Sequence, residues 1–279
     1  MNKKVTVAIC QMKVVADKDI NLQKAGEMIK KSAAQGAELV VLPEIFNGPY
    51  DSQLFSSFAE TYPGKTTDFL ANCSRQNQIF IVGGSIAEKD DEGKIYNTSY
   101  TFDKEGELVG KHRKIHLFDI DVPGKIKFQE SAALSPGNSI TIIKYQDLQL
   151  GVMICYDVRF PELARAMALE GVTILVIPAA FNTTTGPLHW ETTMRSRAID
   201  NQLFVLAASP ACNPQAGYQA WGHSMVVDPW GTIISQAGTE EEIIFAELNL
   251  PEVDRVRKEL PLLKHRRLDI YKLGYKTGL

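Results

Sequence analysis

Three short segments set a reactive side chain at or just beyond the end of a strand-like run. The first is Leu39-Val40-Val41-Leu42-Pro43-Glu44-Ile45-Phe46. A carboxylate among apolar neighbours has its charged form destabilised and its pKa raised, which suits a general base. Taken alone, Glu44 reads first as a strand-end carboxylate turned to water, because most glutamates are exposed. The second is the cationic run Lys111-His112-Arg113-Lys114-Ile115-His116-Leu117-Phe118. It is either a solvated charge cluster or an anion patch, but it opens directly into apolar residues that would carry Lys114 inward. A buried ammonium needs a carboxylate partner, and Glu44 or Glu130 could supply one. His112 and His116 have i, i+4 spacing, yet the segment does not read as a helix and no acidic or Cys ligand follows at metal spacing.

The third segment, Gly151-Val152-Met153-Ile154-Cys155-Tyr156-Asp157-Val158-Arg159-Phe160-Pro161-Glu162, ends an apolar strand on a cysteine and opens a helix at proline. A thiol there is held rigidly, faces the positive end of a helix dipole, and has backbone N–H groups beside it for an oxyanion. The bland alternative is a small inert core residue. The polar Tyr156-Asp157-Arg159 that follows argues against a purely apolar setting, which leaves the two readings level. No GxSxG or GxCxG elbow occurs, and neither GxGxxG nor GxxxxGK[ST] supports nucleotide binding. A Cys–His dyad stays open, with His112, His116, His189 and His223 available.

The elements that must position these groups alternate in type. Strands are expected at 5–9, 39–42 and 79–82, with helices at 21–35 and 67–76 and a hairpin of 98–102 with 108–111. The second half repeats the pattern: strands at 148–154, 174–177 and 203–207, helices at 161–169 and 188–201, and a hairpin of 225–227 with 233–235. A strand at 243–248 and a helix at 251–260 close it. Apolar runs that do not alternate imply strands covered on both faces. The expected architecture is α/β, a layered sandwich of mixed sheets covered by helices. No linker divides the chain, so residues 1–279 read as one domain, with 261–279 a basic tail (Lys264, Arg266, Arg267, Lys272, Lys276) on the surface or against a partner subunit.

With 279 residues, 44% of them apolar, the chain can bury a core without disulfide or metal staples. Lys plus Arg number 30 and Asp plus Glu 33, a net charge of -3 that gives no footprint for nucleic acid. The apolar run 174–181 is too short to span a bilayer. Met1-Asn2-Lys3-Lys4 runs straight into a strand and not into a signal segment. Cys10, Cys73, Cys155 and Cys212 lack CxxC spacing, so a reducing cytoplasmic setting with free thiols is expected.

At the three reactive segments the chain resembles the carbon–nitrogen hydrolase (nitrilase) superfamily, whose triad is one Glu, one Lys and one Cys. Glu44 in Leu42-Pro43-Glu44, Lys114 in Arg113-Lys114-Ile115-His116-Leu117 and Cys155 in Ile154-Cys155-Tyr156-Asp157 fall in that order, and Glu130 matches an additional carboxylate beside the triad. The stretch from Lys114 to Glu130, the segment Ala180-Phe181-Asn182-Thr183-Thr184-Thr185-Gly186-Pro187 and the segment Ala220-Trp221-Gly222-His223-Ser224 look like the ω-amidase branch. Thr183 departs from a place that is often apolar there. The resemblance implies a four-layer αββα sandwich, two mixed sheets flanked by helices, with no cofactor, no metal and a homodimer or higher homo-oligomer. It also implies hydrolysis of the terminal amide of 2-oxoglutaramate and 2-oxosuccinamate.

In that reading Glu44 takes the thiol proton, Cys155 attacks the amide carbon, and Lys114 with the backbone N–H of Tyr156 stabilises the oxyanion. Glu130 orients Lys114 or the amide nitrogen. Arg159 offers a planar fork to the substrate carboxylate, where the rival expectation is an ion pair with Asp157 or Glu162. Thr185 serves as hydroxyl donor, Phe181 as pocket wall, and Tyr50 as rim. The nearest rival functions are an amidase for deaminated glutathione, a carbamoyl hydrolase and a true nitrilase. A rival of another class is a catalytically silent interaction protein on the same scaffold.

Overall fold

In strand β2 (Leu39–Val41), Leu39 and Val41 face a second sheet, while Val40 and the following Leu42 face helices. That division explains the unbroken apolar runs, since a strand buried on both faces has no polar side to alternate with. The computed structural model describes residues 4–124 and 126–275. Met1, Asn2, Lys3 and Lys276, on which the sequence reading drew, lie outside the described residues.

The first layers comprise β1 (Lys4–Gln11), α1 (Lys18–Ala34), β2, α2 (Phe55–Phe58), α3 (Lys65–Asn77), β3 (Phe80–Val82), β4 (Ile86–Lys89), β5 (Ile95–Phe102) and β6 (Leu108–Arg113). A small hairpin follows, β7 (Asp119–Val122) with β8 (Ile126–Gln129). Then come β9 (Thr141–Tyr145), β10 (Leu148–Val152), α4 (Pro161–Leu169), β11 (Ile174–Pro178), α5 (Gly186–Asn201), β12 (Phe204–Ala208), β13 (Met225–Val227) and β14 (Ile233–Gln236). The chain returns to the first sheet with β15 (Glu242–Asn249) and runs into α6 (Pro251–Glu259).

Sheet one has the order β15-β1-β2-β3-β5-β4, with β6 on β5, and sheet two the order β14-β13-β12-β11-β10-β9. In each, three central strands are parallel and the flanking strands antiparallel. Val5, Val7 and Ile9 of sheet one meet Leu150, Val152, Val176 and Leu206 of sheet two in a shared core. Behind sheet one, Leu22, Met28 and Ile29 of α1 and Leu70 of α3 pack on Ala8 and Val40. Behind sheet two, Leu163 and Met167 of α4 and Trp190 and Met194 of α5 pack on Leu175 and Val205. The four-layer αββα order expected from the sequence is the order found.

Several elements differ from expectation. The strand expected at 148–154 stops at Val152, and helix α5 begins at Gly186 and not at Leu188. β4, β7, β8, β9 and α2 carry no strong period in the sequence; the β7–β8 hairpin pairs only with itself and leaves its charged residues in water, so burial does not stamp a pattern on it. The described part of the tail after Pro261 lies on the molecule itself, where Leu262, Leu268 and Tyr271 line a surface cleft with Pro161, Arg165 and Asp200. Among the described residues no helix is long and apolar enough to cross a membrane.

The parallel strands all end at one edge, and the loops beyond that edge hold Glu44, Cys155 and Ala180. Gly84 locks the Glu44 loop there. Its φ is +55°, and a Cβ at that position would lie 2.1 Å from the Pro43 carbonyl oxygen. The next residue, Ser85, receives the Ile45 N–H on its hydroxyl at 3.0 Å and gives its own N–H to Pro43. Gly84→Ala therefore meets both a clash with backbone and a left-handed φ. We expect a stability loss of at least about 1–3 kcal/mol from backbone strain, read as a lowered urea midpoint, with activity lost beyond what unfolding explains.

Candidate active site

Lys114 follows β6, Glu130 follows β8, and both come to Glu44 with no exposure to water. The Lys114 Nζ donates to Glu44 Oε1 and to Glu130, each at 2.9 Å. Asn97, at the start of β5, donates to Glu44 Oε1 at 2.9 Å and toward Glu130 Oε1 at 3.4 Å. Glu130 is pinned further by the Phe118 N–H at 2.6 Å and the Tyr50 hydroxyl at 3.1 Å. Among the described residues, Glu44 Oε2 alone of these carboxylate oxygens is buried with no nitrogen or oxygen partner, leaving Glu44 to engage the Cys155 thiol.

One ammonium between two carboxylates leaves an excess negative charge, and the electrostatics follow from it. Burial raises the Glu44 pKa, Lys114 opposes the rise, and the Glu130 charge adds to it. For Lys114, burial favours the neutral amine, but Glu130 and Glu44 outweigh it and hold the group protonated well above its ordinary range. Burial and the nearby Glu130 likewise keep Tyr50 a neutral phenol, able to donate to Glu130 while accepting weakly from Lys114.

Cys155 enters from sheet two. It opens a 3-10 turn, Cys155–Arg159, with φ of +45°. Left-handed backbone at a non-glycine residue is a strained arrangement that clusters at functional sites. The sequence held no glycine-flanked elbow, yet the chain makes one. The expectation that the thiol faces a helix dipole needs correction, because the 3-10 turn stands between Cys155 and α4. Its first turn still leaves the Tyr156 N–H without an intrahelical acceptor. Burial and Glu44 push the thiol pKa well above its ordinary value, while Lys114 and the Ala180 N–H pull the other way. Cys155 is thus held as a protonated thiol beside the Glu44 carboxyl group.

The remaining expected residues form a second cluster. The Arg159 guanidinium lies 4.5 Å from the Phe181 ring centre and 5.9 Å from that of Tyr156. Its Nη1 contacts His189 Nδ1 at 3.1 Å, and it forms no ion pair with Asp157 or Glu162 among the described residues. Thr185 departs from its expected role: its hydroxyl donates to Asn182 Oδ1 at 3.2 Å. Asn182 collects the N–H groups of Thr184 and Thr185 as well, so it organises the start of α5 and engages the hydroxyl expected to face a ligand.

Sequence reasoning missed Asn97, Tyr218 and the role of Asp157. Asn97 was findable as an amide within an otherwise buried strand segment. Tyr218, which donates to the Ala180 carbonyl at 2.5 Å and lies 4.6 Å ring to ring from Tyr50, sits in a long loop with no pattern to mark it. A cavity of about 410 Å³ opens beside Glu44, Tyr50, Ala180 and Tyr218 and is lined also by Val14 and Asn213. His112 and His116, spaced as a metal pair could be, both turn to Asp157.

An αββα sandwich with a Glu, a Lys and a Cys gathered at one edge is the arrangement expected of a carbon–nitrogen hydrolase. The chain matches the carbon-nitrogen hydrolase family over residues 6–258 and belongs to it. It is 48% identical to omega-amidase NIT2 of Mus musculus over 97% of this chain and 98% of that protein. Against omega-amidase NIT2 of Danio rerio it is 49% identical over 97% and 98%. The crystal structure of Saccharomyces cerevisiae Nit3, a member of branch 10 of the nitrilase superfamily, shares the fold with a TM-score of 0.88 at 45% identity, covering 95% of this chain and 97% of that one.

Replacing Lys114 by Met leaves two buried carboxylates without their cation, and the expected cost is about 3–5 kcal/mol at neutral pH. The pH dependence has a definite sign. A carboxyl whose folded pKa is raised costs stability when ionised, and the cost fades as pH falls and the proton returns. Denaturation of Lys114→Met should therefore show its largest deficit near about pH 8 and a smaller one near about pH 5. A deficit independent of pH would show that Glu44 and Glu130 do not share one cation.

Proposed function

We propose that the protein is an amidase that hydrolyses the terminal amide of 2-oxo dicarboxylate monoamides, 2-oxoglutaramate and 2-oxosuccinamate, to the 2-oxo acid and ammonia. The observation that carries the chemistry is the unpartnered Glu44 Oε2, whose companion oxygen is held by Lys114 and Asn97. Because burial disfavours both the thiolate and the Glu44 carboxylate, the thiol proton passes to Glu44 as the sulfur attacks the amide carbon. Lys114, with the backbone N–H of Tyr156, balances the charge on the carbonyl oxygen. Glu44 returns its proton to the nitrogen as the C–N bond breaks, and ammonia leaves a thioester on Cys155. Water then gives a proton to Glu44 and its oxygen to the acyl carbon, releasing the acid and restoring the thiol.

Arg159 supports the choice of substrate class. It is a half-buried guanidinium stacked on Phe181 with no carboxylate partner among the described residues, the environment in which an anionic ligand gains a bidentate contact. The identity to omega-amidases over nearly the whole chain supports the same class over a deaminated glutathione or carbamoyl substrate. Four unpaired thiols support a reducing, cytoplasmic setting.

Cys155→Ala should abolish ammonia release from 2-oxoglutaramate while leaving the circular dichroism spectrum intact; retained turnover would sink the scheme. For Arg159→Ala, the expected loss in kcat/KM is about 2–3 kcal/mol on carboxylate-bearing amides, with simple aliphatic amides little affected. Equal losses on both would remove Arg159 from carboxylate recognition.

A further inference from the structure

Asp157 is fully buried, two residues beyond Cys155, and four donors converge on its carboxylate. Oδ1 accepts the backbone N–H of His116 and its ring Nδ1–H, each at 2.8 Å. Oδ2 accepts the Ile154 N–H at 3.0 Å and His112 Nε2 at 3.3 Å. Burial alone would raise its pKa, but the hydrogen bonds from His112, His116 and Ile154 hold it far below the ordinary carboxylate range. This is a charge fixed by design of its surroundings, since an ionised carboxylate can only accept.

The donors come from a telling place. His112 closes on Asp157 from the end of β6, two residues before Lys114, and His116 from the bend two residues after it. His116 also stacks on Phe160 at 3.7 Å between ring centres, at an angle of 11°. Ile154 is the residue before the nucleophile. One side chain thus ties the segment carrying the ammonium, which belongs to sheet one, to the turn carrying the thiol, which belongs to sheet two. Glu44, Glu130, Asn97 and Tyr50 fix Lys114 from its own side, and of these only Glu44 reaches the turn, at the Cys155 thiol itself.

We propose that Asp157, through His112 and His116, is a positioning residue that sets the separation of Lys114 Nζ and Cys155 Sγ and so aligns the oxyanion between them. The inference rests on the acyl-transfer reading above. It predicts a loss in the chemical step and not in binding, because a misplacement of about 1 Å costs on the order of 100-fold in rate.

The decisive comparison is His116→Leu with His116→Asn. Leu keeps bulk against Phe160 and loses the donor, whereas Asn keeps a donor nitrogen near the place of Nδ1. The measurements are the single-turnover acylation rate with 2-oxoglutaramate, the steady-state KM and Tm. We expect His116→Leu to slow acylation by about 100-fold with KM little changed, and His116→Asn to recover much of that rate at a similar Tm. Asp157→Asn should lose acylation in the same way if it folds, and the His116 pair decides the matter if it does not. Equal rates in the two His116 variants, a loss confined to KM, or a rate that merely follows Tm would overturn the proposal. A wild-type enzyme that never forms an acyl adduct on Cys155 would instead refute the amidase reading, and this inference would fall with it.

Discussion

A lysine ammonium held between two carboxylates in the absence of water is the constraint around which this molecule is arranged. Removing such charges from water costs several kcal/mol per ion, and only close geometry and added hydrogen bonds offset it. Each added bond recruits an element: Asn97 from β5, the Phe118 N–H and Glu130 from the two ends of the small hairpin, Tyr50 from the loop after β2. The β7–β8 hairpin joins neither main sheet, and its structural purpose is to deliver Glu130 to Lys114.

The same charge arithmetic explains why the nucleophile waits. Burial, helped by the Glu130 charge and opposed by Lys114, raises Glu44, and burial with the Glu44 charge raises the thiol. A centre built this way does not store a reactive thiolate. In the proposed mechanism it becomes nucleophilic only when a carbonyl oxygen is present to receive the charge beside Lys114, which couples proton transfer to bond formation.

The central layers were legible in the sequence because burial writes a strong pattern. The runs at 39–42, 79–82 and 174–177 are apolar on every residue, and helix α4 was read to its final residue, with Pro161 starting it and Gly171 closing it. The edges were not legible, since the short strands β4, β7, β8 and β9 include water-facing residues and carry little pattern. Within the site, the order of Glu44, Lys114 and Cys155 was visible as motif and resemblance, and the structure brings these groups together with Glu130. What local chain cannot reveal is pairing at a distance. Asp157 stands 45 residues from His112 and 41 from His116, and nothing near any of them announces the others. Thr185 shows the converse failure, because a hydroxyl in a suggestive segment was already engaged by its neighbour Asn182.

Glu44 and Lys114 hang from one sheet, Cys155 and Ala180 from the other, and the apolar seam of Val7, Ile9, Val152 and Val176 lies between the sheets. A chain still being synthesised, or one whose sheets have parted, contains every reactive atom and assembles none of them. Its cysteine is then an ordinary thiol and its lysine an ordinary surface cation. On the proposed mechanism, catalytic competence is thus a property of the closed seam, and turnover reports on tertiary assembly.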